Sequence, residues 1–225
     1  DAFGNIGAKS TSLSVEVDTR IPQLSLTTAS PSLIKGSIII TIVFDEVMSN
    51  FDLSDVTVTN GTASELVAVI AGQSWTVDVT PTADGTMTVQ VLAGAGNDIV
   101  GNDNTASNTL TFTFDGTAPT VNAITRADVN PTQLQALNFD VVFSEDVNNV
   151  DATDFEIPVT GTITGASVSS VTQVTAATYT VTVDRGTGEG TFGLNVKDDG
   201  SITDDAGNAL GGVGLSNGDF TGEIY

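Results

Sequence analysis

Apolar residues recur at every second position through most of this chain. Trp75, Val77 and Val79 alternate with Thr76, Asp78 and Thr80, and Met87, Val89 and Val91 alternate with Thr88 and Gln90. Leu110, Phe112 and Phe114 are separated by Thr111 and Thr113. Farther along, Leu137, Phe139, Val141 and Phe143 share one parity, as do Tyr179, Val181 and Val183, and Phe192, Leu194 and Val196. A period of two puts such residues on one face of a pleated strand, whereas a helix needs 3.6. Threonine, which suits a pleated surface, fills the other face. Asp84-Gly85 and Glu189-Gly190 punctuate the runs as turns. No stretch carries helical periodicity. The pattern predicts an all-β protein of Ig-like two-sheet sandwiches, with about seven short strands in each. Trp75 and Tyr179 fall in line with the inward valines and read as core aromatics rather than as sugar-stacking platforms.

The polar punctuation repeats in fixed order. Asp-x-x-Gly-Asn occurs at Asp1/Gly4/Asn5, Asp98/Gly101/Asn102 and Asp204/Gly207/Asn208. Asp-x-x-x-Pro occurs at Asp18/Pro22 and Asp115/Pro119, each time 17 residues after the start of the first string. Phe44-Asp45-Glu46-Val47 is answered by Phe143-Ser144-Glu145-Asp146-Val147. An acidic pair follows each, Asp52/Asp55 and Asp151/Asp154, with its first member six residues after the glutamate. The chain therefore divides into two tandem repeats, residues 18–114 and 115–225. Residues 1–17 read as the terminal loop and strand of a preceding repeat.

Charge sharpens the picture. Twenty-eight acidic residues against six basic ones give a formal net charge of −22. Such a surface repels nucleic-acid phosphates and anionic lipid and favours cations as partners. No apolar run is long enough to insert in a membrane as a helix. At 40% hydrophobic residues the chain can still bury a core, so the acidity does not imply disorder. With neither Cys nor His, it can hold no disulfide, no thiolate or imidazole zinc site and no histidine base. Paired carboxylates alone could serve glycoside hydrolysis, but here they gather at a junction rather than in a cleft, and the reading is non-enzymatic.

Ig-like strand order says where the acids go. Strand A leaves Asp18 or Asp115 at one pole, strand B returns to place Glu46 or Glu145 there, and strand F feeds Asp98/Asn102 or Asp204/Asn208 into the same region. The loop after strand B adds Asp52 and Asp55, or Asp151 and Asp154. Two unit charges 4 Å apart repel by about 1 kcal/mol in water and roughly 4 kcal/mol at an effective dielectric of 20. A hard divalent cation reverses that sign, and calcium accepts 6–8 carboxylate, amide and carbonyl oxygens. The expectation is a Ca2+ site at each junction, with Asp18, Glu46, Asp52, Asp55, Asp98 and Asn102 as ligand candidates in the first. Asp115, Glu145, Asp151, Asp154, Asp204 and Asn208 are the candidates in the second.

The same strings have a plainer reading beside this one. Asp-x-x-Gly-Asn is good turn chemistry without any metal, and Asp-x-x-x-Pro can be linker punctuation. The acidic pairs can be solvated loop charge. Asp198, Asp199 and Asp205 in the longer second F–G region read as solvated acid more readily than as a further ion site. Arg20 stands at the first junction where Thr117 stands at the second, which sets a cation beside the first cluster.

Phe-Asp-Gly-Thr-Ala-Pro-Thr at 114–120, Val-Phe-Ser-Glu-Asp-Val at 142–147 and Asp-Asp-Ala-Gly-Asn at 204–208 resemble the bacterial Ig-like repeats of large surface adhesins and biofilm-associated proteins. The resemblance implies an extracellular protein of the bacterial surface or secreted matrix. It implies repeats that act as spacers, contact neighbouring repeats of the same protein and bind calcium where they join. An alternative use of such a module is recognition of a surface glycan or of a host or matrix protein through exposed loops.

Overall fold

The computed structural model describes residues 15 and 17–225. The expectation for residues 1–17 falls, apart from Val15 and Val17, outside the described residues. The first repeat supplies β1 (Leu24–Thr27), β2 (Leu33–Ile34), β3 (Ile38–Phe44), β4 (Val56–Thr59), β5 (Gly61–Ile70), β6 (Ser74–Pro81), β7 (Gly85–Val91) and β8 (Leu110–Phe114). One sheet has the order β1-β3-β6-β5 and the other β2-β8-β7-β4. This is Ig-like order, with strand A broken so that β1 pairs antiparallel with β3 while β2 runs parallel to β8.

The second repeat supplies β9 (Val121–Arg126), β10 (Ala136–Phe143), β11 (Phe155–Glu156), β12 (Ser167–Thr175), β13 (Thr178–Asp184), β14 (Gly193–Val196) and β15 (Phe220–Ile224). Its sheets are ordered β12-β13-β10-β9 and β11-β14-β15. Strand A is unbroken here, and it is tied to strand G by the Arg126 backbone N–H, which donates to Glu223 Oε2 at 2.9 Å. The only helical segments among the described residues are two three-residue 3-10 turns, Leu53–Asp55 and Ala152–Asp154.

The period-two residues are the core. Ile40, Ile42, Val77, Val79, Val89 and Val91 are shielded from solvent in the first sandwich, as are Leu137, Phe139, Val141, Val181, Val183 and Leu194 in the second. Each such side chain contributes about 1.5–3 kcal/mol relative to its exposed state. Trp75 packs at ring-centroid distances of 5.7 Å from Phe44 and 4.9 Å from Phe51. Tyr179 is buried too, and its hydroxyl donates to the Val147 carbonyl at 3.0 Å. The two cores share no residue, so each sandwich encloses its own.

Register makes the sandwiches comparable position by position. Ile42 lies opposite Trp75 and Ile38 opposite Val79, just as Val141 lies opposite Tyr179 and Leu137 opposite Val183. The ends of strands A, B and F thus meet at the same pole of each sandwich, here called the upper pole. At its lower pole the first sandwich meets the second.

Candidate metal centre

Asp18, Glu46 and Asp98 each offer a carboxylate oxygen within 4.8 Å of the other two, and so do Asp115, Glu145 and Asp204. Two oxygens bound to one calcium, at about 2.3–2.6 Å each, lie no more than about 5 Å apart. Both triads meet that limit. Each draws one residue from the start of strand A, one from just beyond strand B and one from the F–G loop, segments held together by the sheets.

The F–G loops are built to present their aspartate. Asp98 Oδ1 accepts the backbone N–H groups of Val100, Gly101 and Asn102 at 2.8, 2.7 and 2.9 Å. Gly101 closes the turn at φ +98° and Gly207 does so at φ +88°, a region that costs glycine little. Asp98 Oδ2 takes Asn102 Nδ2 at 2.8 Å, which leaves this oxygen capacity for a cation. The turn chemistry of the string therefore leaves one carboxylate oxygen able to take a cation. Burial alone would raise the Asp98 carboxyl, but the bonds from Asn102, Val100 and Gly101 outweigh it and hold the group below its ordinary value, ready as an anion.

The asparagines brace the carboxylates through their amide nitrogens. Asn208 Nδ2 donates to Asp204 Oδ2 at 2.8 Å and to the Asp115 carbonyl at 2.9 Å. Asn102 Nδ2 does the same with Asp98 Oδ2 and, at 3.3 Å, with the Asp18 carbonyl. Each asparagine thereby fastens the F–G loop to the start of strand A. The geometry gives Asn102 and Asn208 this bracing contact in addition to whatever their amide oxygens do.

Asp52, Asp55, Asp151 and Asp154 are not brought into the triads. Asp52 Oδ1 accepts Ser54 N at 2.7 Å while Asp55 Oδ2 accepts Asp52 N at 2.7 Å, closing a capping box on the Leu53–Asp55 turn. Asp151 and Asp154 build the same box on Ala152–Asp154. The three-residue spacing is that of an N-cap and its N3 partner, and orphan N–H groups consume these oxygens. Ser201 Oγ also donates to the buried Asp154 carboxylate at 2.6 Å. Asp198 differs from expectation as well. It is 3% exposed rather than solvated, and it organises its loop by accepting Gly200 N and Gly218 N at 3.0 and 3.1 Å. Asp205, which is exposed, accepts Asn148 Nδ2 at 2.8 Å.

The glutamates carry the electrostatic cost. Glu145 is pushed above the ordinary 4.5 first by burial and then by the negative charges of Asp115, Asp204, Asp84 and Asp146. Glu46 is raised by burial, eased by Arg20, and raised again by Asp18, Asp45 and Asp98. Its Oε1 is buried without a hydrogen-bond partner, an expense for a native protein unless another group meets it. A hard cation at the centre of the triad would meet it. The donor sets, all oxygen and strongly anionic, fit calcium.

Several residues outside the candidate ligand sets also surround the triads. Asp45, beside Glu46, accepts Gln23 N and Arg20 Nη2, both at 2.8 Å. At the second junction Ser144 Oγ replaces that carboxylate as acceptor of Thr120 N at 2.9 Å. Asp146 and Asp205 line the second triad's concavity of about 400 Å³. Asp84, from the first sandwich, accepts Gly116 N at 2.7 Å and the Thr117 hydroxyl. Lys35, also from the first sandwich, donates to the Gly207 carbonyl of the second. Only the tertiary meeting of the two domains reveals those last two contacts.

The bacterial Ig-like domain family model matches residues 18–114. The first sandwich is a bacterial Ig-like domain. The second has the same strand order and the same polar strings as this bacterial Ig-like domain, with an unbroken strand A. Among solved structures the chain is similar to FdeC, an adhesin of Escherichia coli, at 17% identity and a TM-score of 0.39. That similarity covers 94% of this chain and 67% of the other. No curated protein matches the chain. Among the described residues no helix is long and apolar enough to cross a membrane.

Proposed function

We propose that the chain is a non-enzymatic spacer segment of an extracellular bacterial surface protein, an adhesin or matrix component, whose sandwiches are fixed in orientation by calcium at their junctions. The carrying observation is the recurrence of the triad. Asp18/Glu46/Asp98 and Asp115/Glu145/Asp204 occupy equivalent positions, and each includes the residue at which its domain is entered. A cation there ties the entering chain to two loops of the domain that follows.

At the second junction the cation site adjoins contacts to the preceding sandwich through Asp84 and Lys35. Ordering Asp115 therefore orders a linker whose next two residues are already held by Asp84. The partners on this reading are neighbouring repeats of the same protein. Trp75 and Tyr179 are buried and serve the cores rather than a sugar platform.

Calcium that binds only the folded state stabilises it by RT ln(1 + [Ca]/Kd), about 2.7 kcal/mol at 100 times Kd. Small-angle X-ray scattering and thermal melts, each in millimolar calcium and in chelator, test the proposal. Calcium is expected to narrow the distribution of interdomain distances and raise the melting temperature. Superimposable profiles and melts in the two buffers would overturn it.

A further inference from the structure

The lower pole of the second sandwich carries a feature that the first sandwich lacks. Register sets Val183 opposite Leu137 as it sets Val79 opposite Ile38, so Arg185 stands where the first sandwich has Pro81. In the first sandwich three residues, Thr82–Asp84, then complete the turn into β7. In the second, the chain between Arg185 and β14 forms a glycine-rich tongue against the β11–β12 connection. Thr162 N and Thr164 N donate to the Glu189 and Thr187 carbonyls at 2.8 and 2.9 Å. Thr162 Oγ1 and Thr160 Oγ1 in turn accept Glu189 N and Thr191 N, both at 3.0 Å. The two segments lie so close that a Cβ on Gly190 would collide with the Thr160 carbonyl.

This tongue helps to wall a cavity of about 120 Å³. Leu137, Ile163, Phe192 and Tyr225, all buried, give it apolar sides. Arg185, Asn130 and Thr132 line it as well. The Arg185 Nε–H is buried without a hydrogen-bond partner, and Nη1 donates at long range, 3.5 Å, to the Gly188 carbonyl. The adjacent carboxylate is engaged elsewhere, because Asp184 Oδ1 accepts Gly186 N at 2.9 Å and Gln135 Nε2 at 2.6 Å. Thr132 Oγ1 accepts Leu134 N at 3.1 Å, which leaves its hydroxyl proton to donate. A buried cationic donor without an acceptor is costly, and native proteins rarely keep one that nothing meets.

We infer that this cavity is a binding site for a small free carboxylate with a short apolar tail. Its head meets the Arg185 Nε–H and the Thr132 hydroxyl, and its carbons lie against Leu137, Ile163 and Phe192. A guanidinium offers its donors in the plane that a carboxylate needs, and a charge-assisted bond is stronger than a neutral one. At about 30 Å³ per water the cavity equals roughly four waters, room for an acid of about four carbons. The same head occurs on a glutamate side chain of another protein, but that would bring a peptide backbone to the cavity as well. A net charge of −22 repels carboxylates from most of this surface, so a site for one needs a cation placed for it. The inference goes beyond the spacer reading and does not require calcium.

Sodium butyrate is the probe, titrated into the isotope-labelled chain at constant ionic strength and followed by backbone amide NMR. The amides of Ile163, Gly190 and Phe192 are expected to shift along one saturating curve while those of the first sandwich stay in place. Butylamine, of the same length and opposite charge, is expected to leave all of them unmoved. Arg185→Gln is expected to weaken butyrate binding about tenfold or more, since a charge-assisted bond is lost. Ile163→Trp keeps the arginine but fills the cavity, and is expected to abolish binding. The wild-type titrations decide the matter even if a variant fails to fold.

Absence of saturable shifts at those three amides in wild type overturns the inference. So does binding of equal strength by butylamine, or by butyrate to a folded Arg185→Gln. A glutamate blocked at both ends carries the same head on a backbone and separates the two sources. Weaker binding than butyrate supports a free acid, and equal or tighter binding would assign an acidic protein segment and overturn it. No calcium is added, so failure of the calcium sites and failure of this one are read separately.

Discussion

Asn208 Nδ2 lies 2.9 Å from the carbonyl oxygen of Asp115, a residue 93 positions earlier. One amide thus joins the F–G loop to the point where the second sandwich begins. The same nitrogen holds Asp204 Oδ2 at 2.8 Å, so the linker and a carboxylate of the triad share a single donor. Whatever orders the triad orders the linker.

Asn208→Ala removes that donor. Each neutral hydrogen bond contributes about 0.5–1.5 kcal/mol net, and bonds to charged groups about 1.5–3. The variant is expected to lose about 2 kcal/mol of stability in the second sandwich and to bind calcium more weakly at the second site alone. Denaturant unfolding and calorimetric titration check the two effects separately.

Asp151→Ala tests the capping assignment. Loss of an N-cap costs about 0.5–2 kcal/mol. A lower melting temperature with an unchanged number of bound calcium ions is expected, since Asp151 is engaged with Thr153 N and lies outside the triad. A lost calcium equivalent would return Asp151 to the ligand set.

Strand alternation made the fold legible, because a half-buried strand must place Val77 and Val79 on one face and Thr76 and Asp78 on the other. The strand ends then followed: Asp18, Glu46 and Asp98 meet because strands A, B and F begin or finish at one pole. Asp52/Asp55 could be read two ways because Asp-x-x-Asp is equally the spacing of a capping box, and in the fold the pair closes such a box on the Leu53–Asp55 turn. Asp84 and Lys35 were invisible because their partners, Gly116, Thr117 and Gly207, are set by how two domains meet. The break in strand A between β1 and β2, absent from β9, also had no counterpart in the alternation pattern.

Arg20→Thr copies the second junction onto the first. Arg20 is largely exposed in its bond to Asp45, so the pair itself contributes little to stability. Its positive charge, however, opposes an entering cation. Repulsion between a unit charge and a divalent ion several ångströms apart is on the order of 1 kcal/mol even in water, which is several-fold in affinity. The variant is expected to tighten the first calcium site several-fold with little change in metal-free stability, as read by calorimetric titration and thermal melting.

Glu145 gives the account a pH signature. Its folded carboxyl is raised above 4.5, chiefly by burial, so the native state favours the protonated form. That contribution is full below 4.5 and fades as pH rises through the raised value. In chelator, wild type is expected to match Glu145→Gln in melting temperature near pH 4.5 and to fall below it toward pH 7. In millimolar calcium the order at pH 7 reverses, because the ionised carboxylate then has its cation. A difference between the two proteins that stays flat with pH in chelator would contradict this.

Calcium stoichiometry in matched variants bears most directly on the junction sites. Titration calorimetry of wild type, Glu46→Ala and Glu145→Ala is predicted to give two bound ions, then one, then one, with each variant losing the site at its own junction. Absence of binding by wild type, or the same stoichiometry in all three proteins, would contradict calcium as the element that fixes these sandwiches together.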